Sequence, residues 1–291
     1  MAQDTDVFGR LERFYDAVPR PDARAEEYGG LVLFVREGAG WPFYARPRLH
    51  ADTPSAADII AVRNRQRELG LPESFEWVHE TTPDLLAVAR SAGLEVLLAP
   101  LMVLETAALV PDLPVSGAVI RVLDPHAASF AADLAASRAV AQLGFGAPHD
   151  ASPAAVPAGN APLVVEPAGP AARDAIPPPD PAVVEAARRR AIDGRAVTAV
   201  VDSPVHGILA TGTVQRVGDV AEIAGVATLP VARRLGYASQ LTATLAREAL
   251  LHDGRLIFLS AGDDDAARLY SKVGFRRIGT ACIAEPAAVP L

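Results

Sequence analysis

A chain of 291 residues, half of them apolar and with a formal charge of −8, holds enough hydrophobic material for one large core or two modest ones. The acidic balance disfavours a nucleic-acid partner, which must be met by a basic face, and the apolar runs Leu31 to Val35 and Val96 to Leu104 are too short to cross a bilayer. The single cysteine, Cys282, excludes an internal disulfide and a cysteine-built metal site; no basic stretch precedes an apolar run at the N-terminus, so the expected compartment is the cytoplasm.

In chain order, Gly30 to Arg36 and Pro42 to Arg46 read as two short strands. Ser55 to Leu69 follows as a helix with apolar Ala56, Ile59, Ile60 and Val62, stopped at Gly70. Phe75 to His79 alternates Phe, Trp and His on one face with Glu and Val on the other, as a half-buried strand does. Thr82, Pro83 and Asp84 open a second helix to Ala92, and Glu95 to Leu104 closes this first block as a strand.

A proline-bearing connector, Val110 to Gly117, leads to a second block. Ala118 to Leu123 is a strand candidate, and Ala127 to Leu143 repeats small and apolar residues at helical spacing. Residues 148 to 181, rich in Pro and Ala without a sustained period, read as a long surface loop ordered in part over a site. Pro181 starts a helix to about Ile192, in the first turn where proline is tolerated. Ala196 to Asp202, Gly207 to Gln215 and Val220 to Thr228 form three consecutive antiparallel strands. A helix from about Leu235 places Ala238, Leu241, Leu245 and Ala249 on one face. Leu256 to Ser260 is a strand, Asp263 to Val273 a helix and Phe275 to Ala284 the last strand.

The junction Pro230 to Ala238, PVARRLGYA, carries the chemistry. A loop entering a helix there aims unpaired backbone N–H groups and the positive end of the helix dipole at one spot. Gly236 and Ala238 keep bulk away from that spot, while Arg233 and Arg234 add charge. A diphosphate fits this arrangement, although neither the Walker A spacing nor the triple glycine of the dinucleotide fold is present.

With Arg233, Gly236 and Ala238 at their spacing, the segment resembles motif A of the GNAT acetyltransferase superfamily. A second stretch, Ser260 to Phe275, begins 24 residues after Gly236 and is similar to a later GNAT segment: Ala266, Leu269-Tyr270 and Gly274-Phe275 match, while Asp263 replaces the usual Asn. Asp263 is equally suited to cap the helix it precedes. The resemblance covers about residues 116 to 285. It implies an α/β fold with a mixed sheet whose fourth and fifth strands splay apart, and acetyl-CoA as co-substrate with no metal. Val226, Ala227 and Thr228 would then bond pantetheine through their backbone. Arg233, Arg234, Leu235, Gly236, Tyr237, Ala238 and Ser239 would cradle the pyrophosphate, and Asp263 and Ala266 would touch the coenzyme. Gly225 is a plausible bulge that would open the gap.

The first block, residues 1–112, resembles the later half of a GNAT domain, but its strand-to-helix junction, Leu49 to Ala57, has no glycine and no Arg-x-x-Gly. It is therefore expected to be a degenerate partner with a structural or substrate-shaping role ahead of a full domain, residues 113–291, as in tandem acetyltransferases with one inactive copy.

Acyl transfer to an amine needs a neutral amine, a site for the oxyanion and a proton for the departing thiolate. The resemblance assigns the last task to Tyr270, which an ordinary pKa near 10 keeps protonated. Glu222, eleven residues before Arg233, stands where some family members place the base, sharing a strand face with Ala224 and Val226. His206 and His149 read as surface histidines and His79 as a packed one. The expected function is N-acetyl transfer from acetyl-CoA to a small-molecule or peptidyl amine through a ternary complex, with no nucleic-acid or membrane partner; the alternative is an acyl-CoA-binding regulatory module without turnover.

Overall fold

The computed structural model describes residues 2–146 and 168–287. The N-terminal elements are α1 (Ala2–Ala17), β1 (Ala23–Tyr28), β2 (Leu31–Arg36), β3 (Arg46–Pro47), α2 (Ala56–Glu68), β4 (Phe75–Val78), α3 (Leu85–Ser91) and β5 (Leu94–Leu104). There follow β6 (Val119–Val122), α4 (Phe130–Gly146), α5 (Pro170–Asp174), α6 (Pro181–Ile192), β7 (Ala196–Ser203), β8 (Gly207–Val217) and β9 (Val220–Thr228). The chain closes with α7 (Tyr237–Leu251), β10 (Leu256–Ser260), α8 (Asp264–Val273) and β11 (Phe275–Pro286). The α/β class with a mixed sheet is the one expected, whereas α1 and β1 carry too little pattern to be read in advance. Most of the loop expected over 148–181, with His149, lies outside the described residues. No helix among the described residues is long and apolar enough to cross a membrane.

Contacts divide the chain into two compact units: Met1–Leu109 with Gln215–Glu222 and Asp253–Leu291, and Val110–Val214 with Ile223–His252. In the first, β1, β2 and β3 form a small antiparallel sheet. A second sheet runs β4, β11, β5, β10 and then the start of β9. β10 is parallel to β9, pairing Phe258 with Glu222, and antiparallel to β5, pairing Phe258 with Val103.

Strand β4 separates two cores because its side chains alternate. Phe75 and Trp77 join Leu31, Leu33, Ile59, Val62, Leu85 and Cys282, where the lone thiol packs as a small apolar group. Val78, on the other face, joins Leu11, Phe14 and Tyr15 of α1 with Val103, Leu256 and Phe258. Phe14 and Tyr15 meet Phe258 edge-on at ring-centre distances of 5.2 and 5.4 Å, a geometry that adds about 0.5–1.5 kcal/mol per pair beyond burial. Arg10 of α1 bonds Asp219 at 2.9 Å, at the turn between β8 and β9. This face of the sheet is therefore roofed by α1, and Glu76, between Trp77 and Phe75, points under that roof with Val78.

The second unit orders the remainder of β9, then β8, β7 and β6. Helix α4 is tied to β8 through the Ser137 and Thr211 hydroxyls at 2.6 Å. Leu241, Leu245 and Ala249 of α7 are fully buried, as their spacing requires, with Ala238 half-buried. The helix seats only because position 212 is glycine: a Cβ there would stand 2.8 Å from Leu245 Cδ1 and 3.2 Å from Val226 Cγ2.

Candidate active site

In the second unit, β9 passes through Gly225 at φ +64°, a left-handed residue inside a strand and the backbone conformation that a glycine bulge uses. Beyond it Val226 packs beside Leu241 and Leu245 at Gly212, while Ala227 lies against Gly144 of α4. Gly144 lets the helix close on the strand, since a Cβ there would meet Ala227 Cβ at 3.0 Å and the Thr228 carbonyl oxygen at 3.2 Å.

After Thr228, Pro230–Ala232 makes one tight turn, Arg233 is extended, and Arg234 and Gly236 both take positive φ, +66° and +79°. Gly236 is the N-cap of α7, and no side chain caps this helix. The N–H groups of Tyr237, Ala238 and Ser239 thus begin a 15-residue helix without a side-chain acceptor. The space a Cβ of Gly236 would occupy is open, with no atom within 4 Å. Two side chains brace the loop: Arg233 donates to the Gly144 carbonyl at 2.8 Å, and the buried Tyr237 hydroxyl donates to the Ser116 carbonyl at 2.9 Å. Arg234 and Leu235 are exposed. A left-handed residue followed by an uncapped helix end gathers N–H dipoles into an anion site, and the residues fit the pyrophosphate of a coenzyme.

In the first unit, Asp263 accepts from the Ala266 N–H at 2.7 Å and caps α8. The Ala266 donor is thereby committed to the helix, so the capping role of Asp263 is realised. Tyr270, on the same helix, meets Phe275 edge-on at 6.3 Å. Burial, helped by the Asp263 carboxylate, pushes its hydroxyl up to about 12, so it stays protonated across neutral pH.

Glu222 accepts from Gln215 Nε2 at 3.2 Å. The residue keeps partial solvent exposure, yet protein crowds its carboxyl. Desolvation first, and then the Glu76 carboxylate, raise its pKa to about 8, while Arg46, Gln215 and Tyr15 pull the other way. Arg46 and Glu76 form an ion pair with side chains 11% and 10% exposed. These neighbours carry no motif and stand far apart in sequence; the one visible signal is Glu76, an acid inside the otherwise apolar run Phe75–Val78. His206 is exposed, whereas His79 is half-buried. No group of three or more His, Cys, Asp or Glu among the described residues could hold a metal ion.

Residues 201–284 match the family described as FR47-like protein. A GCN5-related N-acetyltransferase from Kribbella flavida is similar over 95% of both chains, with 23% identity and a TM-score of 0.64. A GCN5-related N-acetyltransferase-like protein from Streptococcus suis 89/1591 is similar over 97% of this chain and 98% of its own, with 14% identity and a TM-score of 0.54. No curated protein matches the sequence. At these identities the likeness establishes the fold: this chain has the GNAT fold.

Proposed function

We propose that this chain, built on the GNAT fold, is an acyltransferase that moves an acetyl group from acetyl-CoA to the nitrogen of a small-molecule or peptidyl amine within a ternary complex. The observation that carries this reading is the uncapped start of α7 behind left-handed Arg234 and Gly236, an anion cradle at the place where the GNAT fold receives the coenzyme. The FR47-like match over residues 201–284 supports it.

The backbone of Arg233 to Ser239 would hold the pyrophosphate and that of Val226 to Thr228 the pantetheine arm; the coenzyme supplies the thioester. The amine nitrogen forms a C–N bond to the carbonyl carbon, the C–S bond breaks, Glu222 takes the amine proton and Tyr270 gives its hydroxyl proton to the thiolate. Residues 1–112 would shape the acceptor side. The reading places the reaction in the cytoplasm, with no nucleic-acid or membrane partner.

The test is release of free thiol from acetyl-CoA across an amine panel, run beside calorimetric coenzyme binding. Release that collapses in Tyr270→Phe and Glu222→Gln while binding persists is the expected result. Binding without release on any amine would mark a coenzyme-binding regulatory module instead, and no binding would overturn both.

A further inference from the structure

In the first unit β5 is longer than the strand beside it. It pairs with β11 from Leu94 to Leu104, but β10 covers only Leu101 to Val103, and no other strand among the described residues lies on that side. The flank of β5 from Glu95 to Ala99 is therefore an open edge, in line with the end of β10. The Pro100 carbonyl accepts from the Ala261 N–H at 2.9 Å, so Pro100 faces the β10 side. Every second residue of an antiparallel strand turns its backbone the same way, which directs the N–H and C=O groups of Val96 and Leu98 out of the open edge.

Proteins usually blunt such an edge with a lysine, a proline or a bulge. Val96 to Ala99 carries none of these. Leu97 and Leu98 are instead 50% and 46% exposed, on opposite faces of the strand. At the outer end, exposed Glu95 stands directly opposite exposed Glu285, a like-charge pair that is unfavourable by itself and is relieved by a cation.

A strand added to this edge takes the row of β10, next to β9. In-register pairing joins Glu222, Phe258 and Val103 across β9, β10 and β5, and steps of two along β5 carry that face from Val103 to Leu97. A side chain of the added strand on the Leu97 face thus rises on the side of the sheet that carries Glu222. Half-buried Tyr44 neighbours both ends: burial first, and then the carboxylates of Glu76, Glu285 and Glu222, push its hydroxyl up to about 12. The edge asks for backbone partners, apolar side chains and positive charge together. A small amine brings only the charge, and a second copy of this edge brings more acid.

Resting on the acyltransferase reading of Glu222, we propose that the acceptor is peptidyl: an extended basic segment adds as a strand to β5 at Val96 to Leu98, by the strand addition that open edges support, and presents a lysine amine on the face of Glu222. The lysine nitrogen then takes the acetyl group in the transfer described above. Because β5 belongs to the N-terminal block, that block sets acceptor specificity.

The experiment uses the full chain and heptapeptide pools with blocked termini and a lysine fixed at the centre. Thiol release from acetyl-CoA is measured beside calorimetric peptide binding in the presence of coenzyme A, with N-α-acetyl-lysine amide as the reference amine. The best peptide should exceed the reference by about 10-fold or more in kcat/KM, the return on a few backbone hydrogen bonds. N-methylation of its backbone at the alternate positions that face β5 should lower this about 10- to 100-fold, with little effect at the intervening positions. Leu98→Pro, which removes an edge N–H without touching the ladder to β11, should bring the peptide down to the reference. Leu97→Lys, which charges the edge at a half-exposed site, repeats the comparison should the proline variant fail to fold. No peptide above the reference, equal losses at both sets of methylated positions, or a peptide preference that survives both variants overturns the proposal. So does a dimer in sedimentation that Leu98→Pro dissolves. Thiol release with the reference amine keeps the transferase reading when the peptides fail, whereas peptide binding with the alternating pattern but no release from any amine counts against the transferase reading.

Discussion

Replacing Glu222 with glutamine should make the folded chain more stable in alkali while leaving it nearly unchanged in acid. Desolvation and the Glu76 carboxylate raise the Glu222 pKa from 4.5 to about 8. A carboxyl whose folded pKa lies above its unfolded value binds its proton more tightly in the fold, so its contribution is complete below about pH 4.5 and is lost as pH rises through about 8. A shift of about 3.5 units at ~1.36 kcal/mol each corresponds to at most about 5 kcal/mol. Partial solvent access and the mutual influence of Glu222 and Glu76 reduce this to about 2–3 kcal/mol. Glutamine keeps the shape and the neutral charge of the protonated acid. Urea unfolding at one-unit steps from pH 5 to pH 9 should therefore give curves that coincide at pH 5 and separate by about 2–3 kcal/mol at pH 9, the variant being the more stable. Parallel curves across that range would refute the account of a carboxyl held protonated by its surroundings.

Tyr270→Phe should lower kcat by about 10²-fold or more, the usual scale for losing a general acid, with coenzyme affinity unchanged by calorimetry; an unaltered kcat would remove Tyr270 from the mechanism. Gly236→Val places a β-branched side chain at φ +79° and in the open space before α7. It should cost about 1–2 kcal/mol of stability and abolish coenzyme binding, both readable by thermal melting with and without coenzyme A. Gly212→Ala puts a Cβ 2.8 Å from Leu245 Cδ1 and should destabilise by about 1–3 kcal/mol in denaturant titration.

What could be read in the sequence followed from local rules. The loop before α7 announces itself because a glycine, a preceding strand and a following helix are contiguous, and the left-handed Gly236 answers to one residue type. Gly225 was legible for the same reason. Helix α1 was not, since its buried residues Leu11, Phe14 and Tyr15 follow a polar first half that masks the stripe. Nor was the return of Gln215–Glu222 and Asp253–Leu291 to the first unit visible, because strand partnership is settled by long-range pairing such as Phe275 with Leu104. Linear order conceals the interleaving of the two units after Leu109. Glu222 was singled out by its distance from Arg233, while Tyr15, Arg46 and Glu76, which act on its carboxyl, have no spacing rule to betray them.

That setting bears on how a buried carboxyl could serve as a base. An alkylammonium resembling a lysine side chain has a pKa near 10.4, so moving its proton to an ordinary carboxylate at about 4.5 costs about 8 kcal/mol. With the acceptor group at about 8, the same transfer costs about 3 kcal/mol. Raising the proton affinity of Glu222 therefore narrows the gap between donor and acceptor, at the expense of keeping part of the population protonated near neutrality. The two effects predict a rate that rises with pH until Glu222 is ionised. Burial acts on Tyr270 in the same direction: a hydroxyl pushed up to about 12 stays protonated at neutral pH but is a weaker acid, so proton transfer from it to a thiolate of ordinary pKa near 8.5 costs about 5 kcal/mol. One physical cause, desolvation in the first unit, thus raises both groups, narrowing the gap for proton uptake by Glu222 and widening it for proton release by Tyr270.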